Sequence, residues 1–144
     1  QVAERLSSLG WQTETGVKFT KVLKGDLDFD PGDIDVLAWN ADGRILLLEC
    51  KQLQMAKTAS EIAKQLHEFR GELNERGKPD RLAKHLARLD LATERAHSFA
   101  EYTQSQDISL QGLLVFSRSV PMQYAVDRMK RQIGVTTVAD LYKI

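Results

Sequence analysis

The sequence predicts an α/β domain built on a mixed central sheet, and three observations carry that expectation. Residues 33–40 (DIDVLAWN) and 44–51 (RILLLECK) are strongly β-prone runs, separated by the turn-forming set Asn40, Ala41, Asp42 and Gly43. Beyond residue 59 the apolar spacing becomes helical, with Ile62, Leu66, Phe69 and Leu73 on one face. Residues 112–117 (GLLVFS) then return to a short buried strand. Strands that alternate with helical segments in this way call for a layered α/β packing.

Each element has its own signal. Residues 1–9 place Val2, Leu6 and Leu9 at helical spacing, and Gly10 follows as a stop. Residues 11–23 (WQTETGVKFTKVL) are rich in Thr, Val and aromatics and read as a strand or a bent hairpin. The runs 33–40 and 44–51 are apolar on both faces, as strands covered from both sides must be. A helix is expected from about 59 to 76, ended by Gly77. Pro79 opens the next helical segment, with Leu82, Leu86, Leu89, Ala92, Ala96 and Phe99 as its apolar positions. A helix over 122–132 and a short strand over 135–138 finish the chain, for an order of αβββααβ(αβ).

Composition bounds the function. The 144 residues make one domain by size, with 42% apolar and 28% charged residues. Twenty basic and twenty acidic residues cancel, which excludes nucleic-acid or membrane binding by bulk charge while leaving room for a local patch. One cysteine excludes a disulfide framework, and three scattered histidines show no zinc-ligand spacing. No apolar run reaches the ~20 residues of a membrane span and no signal peptide is visible, so no membrane partner is expected. Cys50 in an apolar stretch suits a reducing cytosol, and a cytoplasmic location is the expectation. The chain begins at Gln1 and reads as one domain, residues 1–144, from a longer protein.

Charge is level overall but uneven in place. Residues 1–50 hold five basic and nine acidic residues, with Asp26, Asp28, Asp30, Asp33 and Asp35 packed into ten positions. If the turn centres on Asp42, strand positions summing to 84 face each other, so Asp35 opposes Glu49 and Asp33 opposes Lys51. Opposed residues have Cβ atoms ~4.5–5.5 Å apart, and alternate residues share a face. One face then carries Leu37, Trp39, Ile45 and Leu47 near the turn, with the four ionisable groups at its open end. A one-residue slip offsets the pairing but keeps both carboxylates near the lysine. Crowded carboxylates need a positive partner, and a hard cation such as Mg²⁺ takes one or two protein carboxylates plus waters and a phosphate. Lys51 can touch a scissile phosphate or orient a water, so the set suits phosphodiester hydrolysis. The plain alternative is a salt-bridge cluster at a hairpin end.

The run P-G-D-I-D-V-L-A (31–38) followed by L-L-L-E-C-K-Q (46–52) resembles the metal-binding motif of the PD-(D/E)xK nuclease superfamily, which has the restriction-endonuclease-like fold. It is most similar to the branch containing nuclease-related-domain and Holliday-junction-resolvase-like proteins. The resemblance implies an αβββαβ core with a mixed central sheet, here with an extra long helix between the third and fourth strands. It also implies that Asp35 and Glu49 bind Mg²⁺ or Mn²⁺, that the Cys50 carbonyl assists, and that Lys51 is catalytic. Such nucleases often add a glutamate from the first helix, for which Glu4 is the candidate. Gln65, four residues before Phe69, is similar to the Q-x-x-x-Y element of some relatives and is an auxiliary catalytic candidate, with Tyr replaced here.

Other features are weaker. The series Asp26, Asp28, Asp30 copies the start of an EF-hand, but Pro31 stands where that loop needs glycine and Leu37 where it needs glutamate. These aspartates read as a solvated loop. Arg81, Lys84, His85, Arg88 and Arg95 form a basic stripe, of which Lys84, His85 and Arg88 are the candidates for substrate phosphate. Salt bridges to Asp90, Glu94 and Glu101 are the competing use, and Arg128, Lys130 and Arg131 form a second basic cluster. The chain has no phosphate-binding glycine loop, G-x-S-x-G, H-E-x-x-H or C-x-x-C. Cys50 alternates away from the acids and reads as a core residue, and Trp11 and Trp39 read as core or edge packing. The expectation is a Mg²⁺- or Mn²⁺-dependent DNA nuclease domain. Another domain or subunit would supply grip, and the extra helix offers a surface for a partner or a second copy. The alternative is a catalytically inactive module of the same fold that binds nucleic acid or protein.

Overall fold

The computed structural model describes residues 1–131 and 133–144. Helix α1 (Val2–Ser8) leads into strand β1 (Gln12–Lys18), a short helix α2 (Phe19–Leu23), and the hairpin strands β2 (Asp33–Trp39) and β3 (Arg44–Lys51). Helices α3 (Ala59–His67), α4 (Arg81–Glu94) and α5 (Ala96–Thr103) follow, then strands β4 (Ser109–Phe116) and β5 (Gly134–Thr137). The five strands form one mixed sheet in chain order. The first three are antiparallel neighbours, whereas β4 runs parallel to β3 and β5 parallel to β4. The α/β class expected from the sequence is therefore the fold observed.

Period-two alternation divides the hairpin between two cores. Leu37, Ile45 and Leu47 face α2, α4 and α5, packing with Phe19, Ala92 and Phe99. Val36, Ala38, Leu46 and Leu48 face α1, packing with Leu6, Trp11 and Leu141. A third cluster of Phe69, Leu82, Leu114 and Phe116 lies beyond β4, where the Phe69 and Phe116 rings meet edge to face. Both faces of β2 and β3 are thus covered. Among the described residues no helix is long and apolar enough to cross a membrane.

Several boundaries differ from the sequence expectation, each for a physical reason. Segment 11–23 is a strand only to Lys18, because Phe19, Val22 and Leu23 bury together at i, i+3 and i+4 as a helical turn. The helix expected over 59–76 stops at His67. The Asp80 carboxylate accepts from the backbone N–H groups of Arg70, Gly71 and Glu72, which a continuing helix would spend on residues 66 to 68. Leu73 consequently stands exposed, although Phe69 is buried as expected. The long helical segment after Pro79 begins only at Arg81 and breaks at Arg95, so α4 packs on β4 while α5 sends Phe99 against Phe19 of α2. Three helices of at most 14 residues replace the extra long helix between the third and fourth strands. The helix expected over 122–132 is instead two 3-10 turns, Pro121–Tyr124 and Val126–Arg128, closed by i to i+3 bonds; residue 132 lies outside the described residues.

Candidate active site at the open end of the hairpin

Pairings of Val36 with Leu48 and Leu37 with Leu47 are those expected for a turn centred on Asp42. The β2–β3 ladder ends at Val36. Just beyond it, Asp35 accepts the Cys50 N–H on Oδ2 at 2.8 Å. A side chain here takes over from the backbone ladder. It draws the Asp35 carboxylate to the stretch that carries Glu49 and Lys51, where alternation is broken, since Ile34 packs with Leu37 and Leu47.

Glu49 is 7% exposed, a burial that a carboxylate tolerates only with its charge answered. Its Oε1 lies 2.6 Å from Lys51 Nζ, and its Oε2 accepts from Arg88 Nη1 at 2.7 Å. Arg88 is itself tethered, donating from Nε to the Pro31 carbonyl at 2.8 Å in the loop before β2. His85, one turn earlier on α4, puts Nδ1 4.0 Å from Glu49 Oε2. Burial first and then the neighbouring Arg88 charge lower the His85 imidazole from 6.5 to about 4, while Asp35 pulls the other way. His85 is therefore neutral at physiological pH, and its buried Nε2 has no hydrogen-bond partner among the described residues.

The sheet makes room for that ring. A Cβ on Gly112 of β4, the neighbour of Leu47, would stand 3.1 Å from His85 Nε2 and 2.9 Å from Leu89 Cδ2. Helix α4 is held above the site by its N-cap, Asp80, which accepts from the Ala83 N–H at 2.8 Å. Its inward positions Leu82, His85 and Leu86 follow helical spacing.

The structure thus brings together Asp35, Glu49, Lys51, His85 and Arg88, and leaves other candidates apart. Lys84 is exposed and His85 is 3% exposed, so the expected basic stripe is no continuous phosphate-binding surface. Its two central members turn inward to the acid. Gln65 makes no hydrogen bond to the five; its Nε2 donates to the Gln54 carbonyl at 2.7 Å. Glu4 is exposed and pairs with the chain's amino group, on the helix covering the opposite sheet face. Asp33 is exposed and pairs across the ladder with Lys18 of β1. Asp26, Asp28 and Asp30 are exposed, as expected of a solvated loop. Arg131 pairs with Asp90. The Cys50 thiol packs on the α1 face, and burial with the Asp35 and Glu49 charges raises it to about 11.

Sequence reasoning placed Arg88 beside substrate and missed its bond to Glu49. The available signal was compensation: a carboxylate on an apolar strand needs a cation, and a basic residue on the helix packed above can supply it.

Asp35 and Glu49 offer the hard oxygen donors that a small divalent cation takes. Asp35 Oδ1 makes no hydrogen bond or ion pair among the described residues, whereas both Glu49 oxygens are engaged. Among the described residues no three His, Cys, Asp or Glu side chains converge on one ion position. Two carboxylates completed by waters and a phosphate need no third, so the donor set fits.

A family model described as anti-phage protein Upx-like matches residues 1–142, and the chain belongs to that family. No curated protein and no solved structure matches it.

Proposed function

We propose that this member of the Upx-like anti-phage family acts in phage defence as a Mg²⁺- or Mn²⁺-dependent nuclease that hydrolyses DNA phosphodiesters. One observation supports the reading: at the open end of a buried hairpin, Lys51 pairs with Glu49 while the Asp35 carboxylate accepts the N–H of Cys50, the residue between them. With the short helix α2 set aside, the order of a helix, three strands, further helices and a strand is compatible with the αβββαβ core of the PD-(D/E)xK superfamily. Family membership is compatible with such an activity.

Asp35 and Glu49 would hold the cation, with the Cys50 carbonyl as a further oxygen donor by the resemblance. When bound, it would polarise a phosphoryl oxygen and make a water acidic enough to attack at neutral pH. The chain's own groups do the rest. Lys51, whose ammonium already sits against Glu49, balances charge and presents its N–H groups to the phosphate or to a water. Arg88, fixed at Nε by the Pro31 carbonyl, holds a guanidinium at the same place and balances the remaining negative charge. His85, neutral and buried, excludes water from the floor without adding charge.

DNA cleavage with Mn²⁺, on single-stranded, duplex and branched substrates, tests the reading. Asp35→Ala and Lys51→Ala should each abolish cutting with the fold intact by circular dichroism. A wild-type protein that leaves all three substrates whole sinks it. The engagement of both Glu49 oxygens favours a second reading, an inactive module whose acid is merely neutralised. Calorimetric Mn²⁺ titration separates the two, since only the enzyme should bind Mn²⁺ and lose it in Glu49→Ala.

A further inference from the structure

Three large apolar side chains that stand exposed, Met55, Ile62 and Tyr124, line a single groove of about 590 Å³. The groove runs off the carboxyl ends of β3 and β4, between the loop 53–57 and the turn Pro121–Tyr124. That loop starts two residues beyond Lys51, and the Ser117 N–H donates to the Lys51 carbonyl, so the groove adjoins the site just described. Gln65 sits in its wall. The Gln54 carbonyl fixes Gln65 Nε2 as donor, which identifies Oε1 as the other amide end, and that oxygen is buried with no partner among the described residues.

Cations outnumber acids around the loop 53–57. Lys57, Lys64, Arg118 and Arg128 line this groove or the two concavities that share the loop, and none makes an ion pair among the described residues. The acids beside them are mostly engaged: Glu61 caps α3, and Glu68 pairs with Arg81, leaving Asp127. An exposed ring and uncommitted cations form the set that takes an unpaired base and its flanking phosphates.

We infer that this groove is a nucleobase subsite for single-stranded DNA, in which Tyr124 stacks the base and Lys57, Arg118 and Arg128 hold the backbone. The inference rests on the nuclease reading for its place beside Lys51. A duplex is excluded from the subsite because its base faces and pairing edges are already occupied. The substrate grip that the sequence assigned to the α4 stripe is here moved to the other side of Lys51.

The test is fluorescence anisotropy of a labelled oligothymidylate of about 12 nucleotides, in EDTA so that nothing is cut. Tyr124→Ala should weaken binding about fivefold or more, while Tyr124→Phe, which keeps the stacking face, stays near wild type. Tyr124 is 83% exposed, so truncation leaves the core untouched. Undetectable binding by the wild type, unchanged affinity in Tyr124→Ala, or an equal loss on a duplex of the same length overturns the subsite. Mn²⁺-dependent cutting by wild type and Lys51→Ala is measured separately. Tyr124-dependent binding without any cutting overturns the nuclease reading alone, and cutting with Tyr124→Ala affinity unchanged overturns the subsite alone.

Discussion

Acidification should unfold this protein in part through one histidine. His85 is 3% exposed, and its folded imidazole is lowered from 6.5 to about 4, by burial first and then by the Arg88 charge. Lys51 and Arg131 add to the lowering, and Asp35 opposes it. Between those two values the unfolded chain binds the proton and the folded chain does not. Stability is therefore complete above the unfolded value and is lost as pH falls towards the folded one. At about pH 4.5 the loss from this group comes to about 2–3 kcal/mol relative to about pH 7.5. With about 0.3 kcal/mol/K of unfolding entropy for 144 residues, that is about 8 °C in Tm. The perturbation is His85→Leu, which keeps the volume and removes the titration. Thermal denaturation of both proteins at both pH values should show the wild type losing about 8 °C more than the variant. Equal losses would refute the argument, and so would an NMR titration placing the His85 ring near 6.5.

Three further outcomes follow from the same geometry. Asp80→Ala strands four backbone N–H groups, at Arg70, Gly71, Glu72 and Ala83, and should cost about 3–5 kcal/mol by urea denaturation; a loss under about 1 kcal/mol would show the loop held by something else. Gly112→Ala sets a methyl against Leu89, Ile133 and His85, and should lower stability by about 1–3 kcal/mol while displacing His85 NMR resonances, whereas an unperturbed spectrum would mean the ring lies elsewhere. Cys50, raised from 9.0 to about 11 by burial and then by the Asp35 and Glu49 charges, should alkylate with iodoacetamide at about pH 8 about a hundredfold more slowly than an ordinary thiol, and labelling at the ordinary rate would contradict its burial.

The hairpin was legible because its information is local and redundant. Alternation, the turn chemistry at residues 40–43 and the two apolar faces all fix one register, and a slip would expose a whole face. Elements that depend on distant partners were less legible. Phe19, Val22 and Leu23 lie in a stretch of β-forming composition, and only their joint burial against Phe99 makes the turn helical. Likewise the spacing of Ile62, Leu66 and Phe69 is truly helical, but the end of that helix is set by Asp80, which captures three N–H groups from outside it. The 3-10 turns around Met122 show the same dependence, since the Lys130 N–H closing that region donates to the Arg70 carbonyl.

The basic stripe shows why counting charges on a helical wheel misleads about function. A helix laid over the end of a strand pair must turn one face to whatever that end carries. Here the end carries a buried carboxylate, and leaving Glu49 unpaired would be far costlier than leaving a lysine in water. Arg88 is drawn inward for that reason, His85 is admitted only as the neutral ring, and Lys84 is left in solvent. Arg88, tied to both Glu49 and the Pro31 carbonyl, is not also free to grip a substrate. The side chains available for that work are those without acidic partners, and they flank the opposite end of the site, around residues 53–57. A chain of zero net charge can therefore offer a positive track, because around residues 53–57 Lys57, Lys64, Arg81, Arg118 and Arg128 outnumber Glu61, Glu68 and Asp127.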